Sequence, residues 1–170
     1  LKQMPHSQEM VGRVATMMER QVDHVTRLVN DLLDISRISR GVMELQRAPL
    51  DFSRVIAAAV EQITPLLRPR EHELVLEETA DPVPVMGDAQ RLTQVLFNVL
   101  DNAIKYSDAG ARVTLRTAVE GDDMVLQLCD TGYGIPADQL EGIFEMFGQV
   151  EEHYARTGGG GLGIGLALSR

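Results

Sequence analysis

Apolar residues recur every seven positions near the start of the chain, at Val11, Met18, Val25 and Leu32, interleaved with Val14, Leu28 and Ile35. This is the seam of an amphipathic helix with one polar gap, at Gln21. Val22, Val29 and Leu33 widen the stripe beyond what a two-stranded coil needs, which suits a four-helix bundle. Pro5 and Ser7 mark a break after the first four residues, and Gly41 stands where a left-handed cap would stop the helix. About 30 residues of helix would run to roughly 45 Å. A helix that long and apolar on one side is not stable alone in water, so dimerisation is expected. A core helix of one globular domain is the competing reading.

From Val42 the pattern changes to short alternating segments. A strand is expected from Met43 to Leu45. Asp51 or Ser53 would cap a helix through Val55, Ile56, Val60 and Ile63, ending at the proline-rich stretch from Thr64 to Pro69. Strands follow from Leu74 to Leu76 and from Val83 to Met86, the second interrupted by Pro84. Asp88 would cap a long helix from Ala89 to Tyr106, with Leu92, Val95, Leu96, Val99, Leu100 and Ile104 apolar. Two strands, Val113 to Val119 and Met124 to Cys129, join through Glu120 to Asp123 as a hairpin. A short helix near Asp138 to Phe147 and a helical start at Leu162 complete the series. The fold class is α+β: a two-layer α/β sandwich preceded by a long helix.

Composition narrows the function. The 170 residues suffice for one ordinary domain plus an appendage. A net charge of −9, from 25 acidic and 16 basic residues, argues against a broad nucleic-acid or anionic-membrane surface. A polyanion would therefore need a local site and a metal. No apolar run approaches the ~18 residues of a membrane span, and no stretch looks like a signal peptide. The single cysteine, Cys129, rules out an internal disulfide framework and suits a reducing cytosol.

Three features carry chemistry. Asn98, Asn102 and Lys105 fall at spacings of four and three, on one face of the helix from Ala89 to Tyr106. Two amides and an ammonium suit a Mg²⁺–phosphate site, although a solvated helix face is the plainer alternative. Asp130-Thr131-Gly132-Tyr133-Gly134-Ile135-Pro136 follows an apolar strand. Its carboxylate can accept from an exocyclic amine and its glycines admit close backbone approach; alone it is also an ordinary Asx turn. Finally, Gly158 to Gly161 continues as Leu162-Gly163-Ile164-Gly165-Leu166-Ala167 into a helical pattern. A helix start offers backbone N–H groups to anions, whereas a flexible linker would use the same glycines. It is neither a P-loop nor a dinucleotide fingerprint.

In this order the three resemble the histidine kinase branch of the superfamily that also holds gyrase, the heat-shock-90 chaperones and the mismatch-repair ATPases. The stretch from Phe97 to Tyr106 is similar to that family's N box and Asp130 to Pro136 to its G1 box. Ile143 to Phe147 is similar to the F box and Gly161 to Leu166 to the G2 box. Val29 to Arg37 resembles the end of the second helix of the dimerisation and histidine-phosphotransfer hairpin. The resemblance implies a partial hairpin over residues 1–42 and an ATP-binding catalytic domain over 43–170, C-terminally incomplete.

It implies as cofactors ATP and Mg²⁺, with Asn98 and Asn102 on the metal, Lys105 on a phosphate and Tyr106 against adenine. Asp130 would read the adenine amine, while Gly132 and Gly134 shape the pocket floor beside Ile135. Gly161, Gly163 and Gly165 would offer backbone to the phosphates, with Leu162 and Leu166 in the same site. The segment from Gly148 to Gly160 would be an ATP lid with Arg156 as an extra phosphate contact, anchored by Phe144 and Phe147. The partners implied are a second copy through the N-terminal helix and a response-regulator receiver domain. Neither nucleic acid nor membrane contact is implied. The location implied is cytoplasmic, whether or not the whole protein is membrane-anchored.

Gyrase-like relatives place a water-activating glutamate where this helix has Asn98. An amide has no useful basicity, which favours transfer to a histidine over hydrolysis. The family's acceptor histidine is followed by an acid and, further on, a proline, and the resemblance puts it ahead of Leu1. His6, His24 and His153 lack that context. His72-Glu73 imitates its start, but the proline position holds Glu77. A degenerate nucleotide sensor and a serine-directed protein kinase on the same scaffold are the alternatives. Complete boxes speak against the first, the dimerisation helix against the second.

Overall fold

The computed structural model describes residues 5–77, 84–148 and 163–169. The chain divides into two compact units, residues 1–43 and 44–170.

The first unit is one helix, α1 (Pro5–Ser39), of 35 residues. It ends as Gly41 predicts. Gly41 takes φ +66°, its N–H donates to Ile38 O at 2.9 Å, and the next N–H, of Val42, donates to Arg37 O at 3.0 Å. This paired arrangement satisfies carbonyls the helix would otherwise leave open. Val25 and Leu32 of the seam, and Val29 beside it, remain about half exposed, at 55, 48 and 49%. Apolar area of that size on a helix calls for a covering surface.

The second unit has two layers. β1 (Ala48–Asp51) pairs antiparallel with β3 (Pro84–Gly87). β2 (Glu73–Glu77), β4 (Arg112–Glu120) and β5 (Asp123–Asp130) form a sheet in the order β2-β4-β5. β2 runs parallel and β5 antiparallel to β4. The helices are α2 (Phe52–Leu67) and α3 (Ala89–Lys105). One core joins them: Val55, Ile56, Ala59, Ile63 and Leu67 of α2, Leu96, Leu100, Ala103 and Ile104 of α3, and Val113 and Leu115 of β4. Each of the valine, leucine and isoleucine side chains contributes roughly 1.5–3 kcal/mol of burial free energy. The opposite face of the sheet is charged. Arg112 and Arg116 stand across from Glu73 and Glu77 and pair with them at 2.8 and 2.6 Å.

The sequence placed several boundaries wrongly. Residues 43–45 form no strand; the pairing partner of β3 is Ala48–Asp51, where Asp51 can also accept from Ser53 N and cap α2. Val83, the expected start of the second strand, lies outside the described residues; β3 is described from Pro84, where a missing N–H is tolerated. α2 passes through Pro65 to Leu67, because a proline in the last turn removes only one bond.

The helix expected at 138–147 is instead two 3₁₀ turns, Ala137–Gln139 and Gly142–Phe144. Glu145 is extended (φ −78°, ψ 149°), and Phe147 has φ +66°, a left-handed conformation that a continuing helix excludes. The helical start expected at Leu162 lies outside the described residues; the described part that follows holds one 3₁₀ turn, Ala167–Ser169, in which the Ser169 hydroxyl donates to Gly165 O at 2.8 Å.

Candidate functional site

α3 positions the site. Asp88 caps it, accepting from Gln90 N at 3.1 Å and Arg91 N at 3.2 Å through one carboxylate oxygen. The other oxygen accepts from Gln46 N at 2.9 Å. These N–H groups, Gln46's foremost, hold the carboxyl below its ordinary range, stabilising the anion at the positive end of the helix. Burial of Leu96, Leu100, Ala103 and Ile104 then fixes the helix rotation, and Asn98, Asn102 and Lys105 form a half-buried polar stripe beside them.

Three contacts draw the sequence motifs together around that stripe. The Asn98 amide donates through Nδ2 to Gly165 O at 3.0 Å and lies 3.5 Å from Ser169 Oγ. A Cβ on Gly165 would sit 3.2 Å from Asn98 Cγ, so the backbone there lies directly against the amide. At the other end of α3, Tyr106 O accepts from Tyr133 N at 3.0 Å. A Cβ on Gly132 would come within 2.5 Å of Tyr106 O and 2.7 Å of Asp130 Oδ1, a space only glycine fits without displacing backbone. Asp130 Oδ1 accepts from Gly132 N at 2.8 Å, a local turn that leaves the second carboxylate oxygen as an acceptor. Third, Phe147 N donates to Gly163 O at 3.1 Å, tying the F-box stretch to the last glycine loop.

Lys105 pairs with Asp101 at 2.5 Å, one turn back, and keeps further ammonium donors for another acceptor. Burial raises the Tyr106 phenol above its usual range, and Asp101 adds to this, so the ring stays neutral. Gly134 adopts φ +69° in the loop beyond Gly132, with Ile135 exposed beside it; Leu166 is half-buried. Arg156, Gly161 and Leu162, and with them most of the stretch from 148 to 160, lie outside the described residues.

The donor set on α3 fits a hard cation. Asn98 commits its nitrogen to Gly165, so its oxygen is the atom left to ligate, with Asn102 one turn further on. Among the described residues no cluster of three or more His, Cys, Asp or Glu could hold a metal. Sequence reading missed Asp101 as the partner of Lys105, although their spacing of four carried the signal. It also missed Tyr133, whose hydroxyl donates to Asp108 at 2.8 Å and whose N–H meets Tyr106.

Residues 87–170 match the family model described as histidine kinase-, DNA gyrase B- and HSP90-like ATPase. The chain is 36% identical over 150 residues to the circadian input-output histidine kinase CikA of Synechococcus elongatus, covering 87% of this chain and 20% of CikA. It is 32% identical to the solved mycobacterial sensor histidine kinase MprB, with a TM-score of 0.60 over 72% of this chain and 75% of that one. Full-length ShkA, solved in complex with AMPPNP, is 29% identical with a TM-score of 0.71, covering 99% of this chain and 34% of ShkA. The chain belongs to this ATPase family, within its sensor histidine kinase branch. It spans about a fifth of the length of CikA. Among the described residues no helix is long and apolar enough to cross a membrane.

Proposed function

We propose that residues 43–170 bind Mg²⁺-ATP and donate its γ-phosphoryl group to a histidine for relay to a response regulator. Residues 1–42 then belong to the dimerisation and phosphotransfer hairpin. The observation that carries this is the bond from the Asn98 amide to Gly165 O, which brings the amide stripe of α3 against the last glycine loop. Asn98 and Asn102 hold the cation, which when bound neutralises charge on the phosphate oxygens. Lys105, partly held by Asp101, meets a phosphate oxygen. Tyr106 lies against adenine and Asp130 accepts from its amine, with Gly132, Gly134 and Ile135 forming the floor. Gly161, Gly163 and Gly165 present backbone to the phosphates beside Leu162 and Leu166, and Arg156 adds a contact from the lid. ShkA's complex with AMPPNP supports the nucleotide reading.

Asn98 stands where a general base would stand in a hydrolase, and its amide cannot take a proton from water. ATP is thereby spared for a histidine. The test is transfer from γ-labelled ATP to a separately supplied hairpin that carries the family's acceptor histidine. Acid-labile label should accumulate on the hairpin, slowly because proximity is lost.

The half-exposed seam of α1 supports assembly as a homodimer. Leu32→Glu would bury a charge without a partner between helices. The variant should sediment as a monomer, or lose helix content, at micromolar concentrations where the wild-type chain self-associates. Identical monomeric sedimentation of both would refute the dimer.

A further inference from the structure

Lys105 and Tyr106 stand at the end of α3, where the last carbonyls have no partner within the helix and the turn is prone to fray. A separate corner of the chain supplies those partners. Arg70, in the 3₁₀ turn Arg68–Arg70 that follows α2, donates Nη1 to Ile104 O at 3.0 Å and lies 3.4 Å from Lys105 O. His72 Nε2 lies 3.2 Å from the same Ile104 O and 3.3 Å from Ser107 Oγ. The Ser107 hydroxyl donates to Ala103 O at 2.7 Å. Two backbone bonds fasten the same corner to the loop after α3, Gly110 N to Arg70 O at 2.9 Å and Glu73 N to Ala111 O at 3.0 Å. The chain reaches this corner through Glu71, a non-glycine residue at φ 55°. A left-handed conformation there costs energy, and the surrounding bonds hold it in place.

The donors assign the ring. A carbonyl only accepts, so Nε2 carries the proton toward Ile104 O, and the Ser107 oxygen is its second acceptor. Nδ1 is then a bare acceptor, buried with no hydrogen-bond partner. His72 is 8% exposed and Ser107 2%. An unsatisfied buried nitrogen is unfavourable, and an apolar side chain would avoid it. The polar contribution of His72 is therefore concentrated on Nε2 and the end of α3.

We propose that His72, with Ser107, is a positioning residue for the nucleotide. It holds the Ile104 carbonyl and so fixes the turn from which Lys105 and Tyr106 reach phosphate and adenine. The inference rests on the reading of those two residues as nucleotide contacts. His72 touches no nucleotide itself. Its effect passes through one carbonyl, which a glutamine amide in place of the imidazole can also reach.

The test titrates Mg²⁺-ATP into the full 170-residue chain and its His72→Leu and His72→Gln variants, well below their unfolding midpoints. His72→Leu should weaken binding roughly tenfold, and His72→Gln should recover most of that loss. Ile56→Val, in the core of α2, serves as a stability control. It should lower the thermal midpoint and leave ATP affinity unchanged. If His72→Leu does not fold, Ser107→Ala removes the second partner of His72 Nε2 together with the bond to Ala103 O, and should weaken ATP several-fold. Wild-type affinity in His72→Leu, or in Ser107→Ala where His72→Leu does not fold, would overturn the inference, as would equal losses in His72→Leu and His72→Gln. A wild-type chain that binds no ATP would instead overturn the nucleotide-site reading.

Discussion

Asn102→Ala should weaken ATP binding by at least an order of magnitude, about 1.4 kcal/mol, when Mg²⁺ is present. The side chain sits half-buried one turn beyond Asn98, beside the buried Leu96, Leu100 and Ile104. Alanine removes the oxygen donor but retains helix propensity, so α3 itself should survive. Most of the loss should vanish when Mg²⁺ is withheld, because in the proposed function the amide acts through the metal. Titration calorimetry within one chain length makes the comparison. Equal affinities for the wild type and Asn102→Ala with Mg²⁺ would remove this residue from the site.

Asp130→Asn should lose ATP affinity by roughly ten- to a hundred-fold, since a hydrogen bond to a charged group is worth about 1.5–3 kcal/mol. The structure gives the loss a direction. Asp130 Oδ1 is taken by Gly132 N, and an asparagine oxygen can keep that bond. In the proposed function the amide NH₂ would then face the base in place of a carboxylate oxygen. A donor opposes the adenine amine and suits the carbonyl that guanine carries at the same place. The preference for ATP over GTP should therefore narrow or reverse in competition titrations. An unchanged preference would show that Asp130 serves only its own turn.

What was legible in the sequence was local. α3 needed only the cap at Asp88 and apolar residues at helical spacing, and both lie within the segment. The amide stripe and Gly41 were legible for the same reason. Strand β1 was missed because its position depends on pairing with β3, more than thirty residues away, and not on its own alternation. The stretch 138–147 has the composition of a helix. Backbone contacts decide against it: a Cβ on Gly148 would lie 2.1 Å from Gly142 O, so the chain folds back on itself there. The contact of His72 with Ser107 joins residues 35 positions apart and leaves no periodic trace. Of the site, the residues on one helix were readable as a group. The bonds from Asn98 to Gly165 and from Tyr133 to Tyr106 were not.

The central claim is that this site delivers phosphate to histidine and withholds it from water. One measurement tests it: incubation of the chain with γ-labelled ATP and Mg²⁺, alone and with an added hairpin carrying the acceptor histidine. The account predicts label on the hairpin, none that is acid-labile on the chain itself, and release of inorganic phosphate no faster than a slow background. None of His6, His24, His72 and His153 stands in the acceptor motif, and Asn98 offers no base. Brisk phosphate release abolished by Asn98→Ala, or acid-labile label on this chain lost in His24→Ala or His72→Ala, would contradict it.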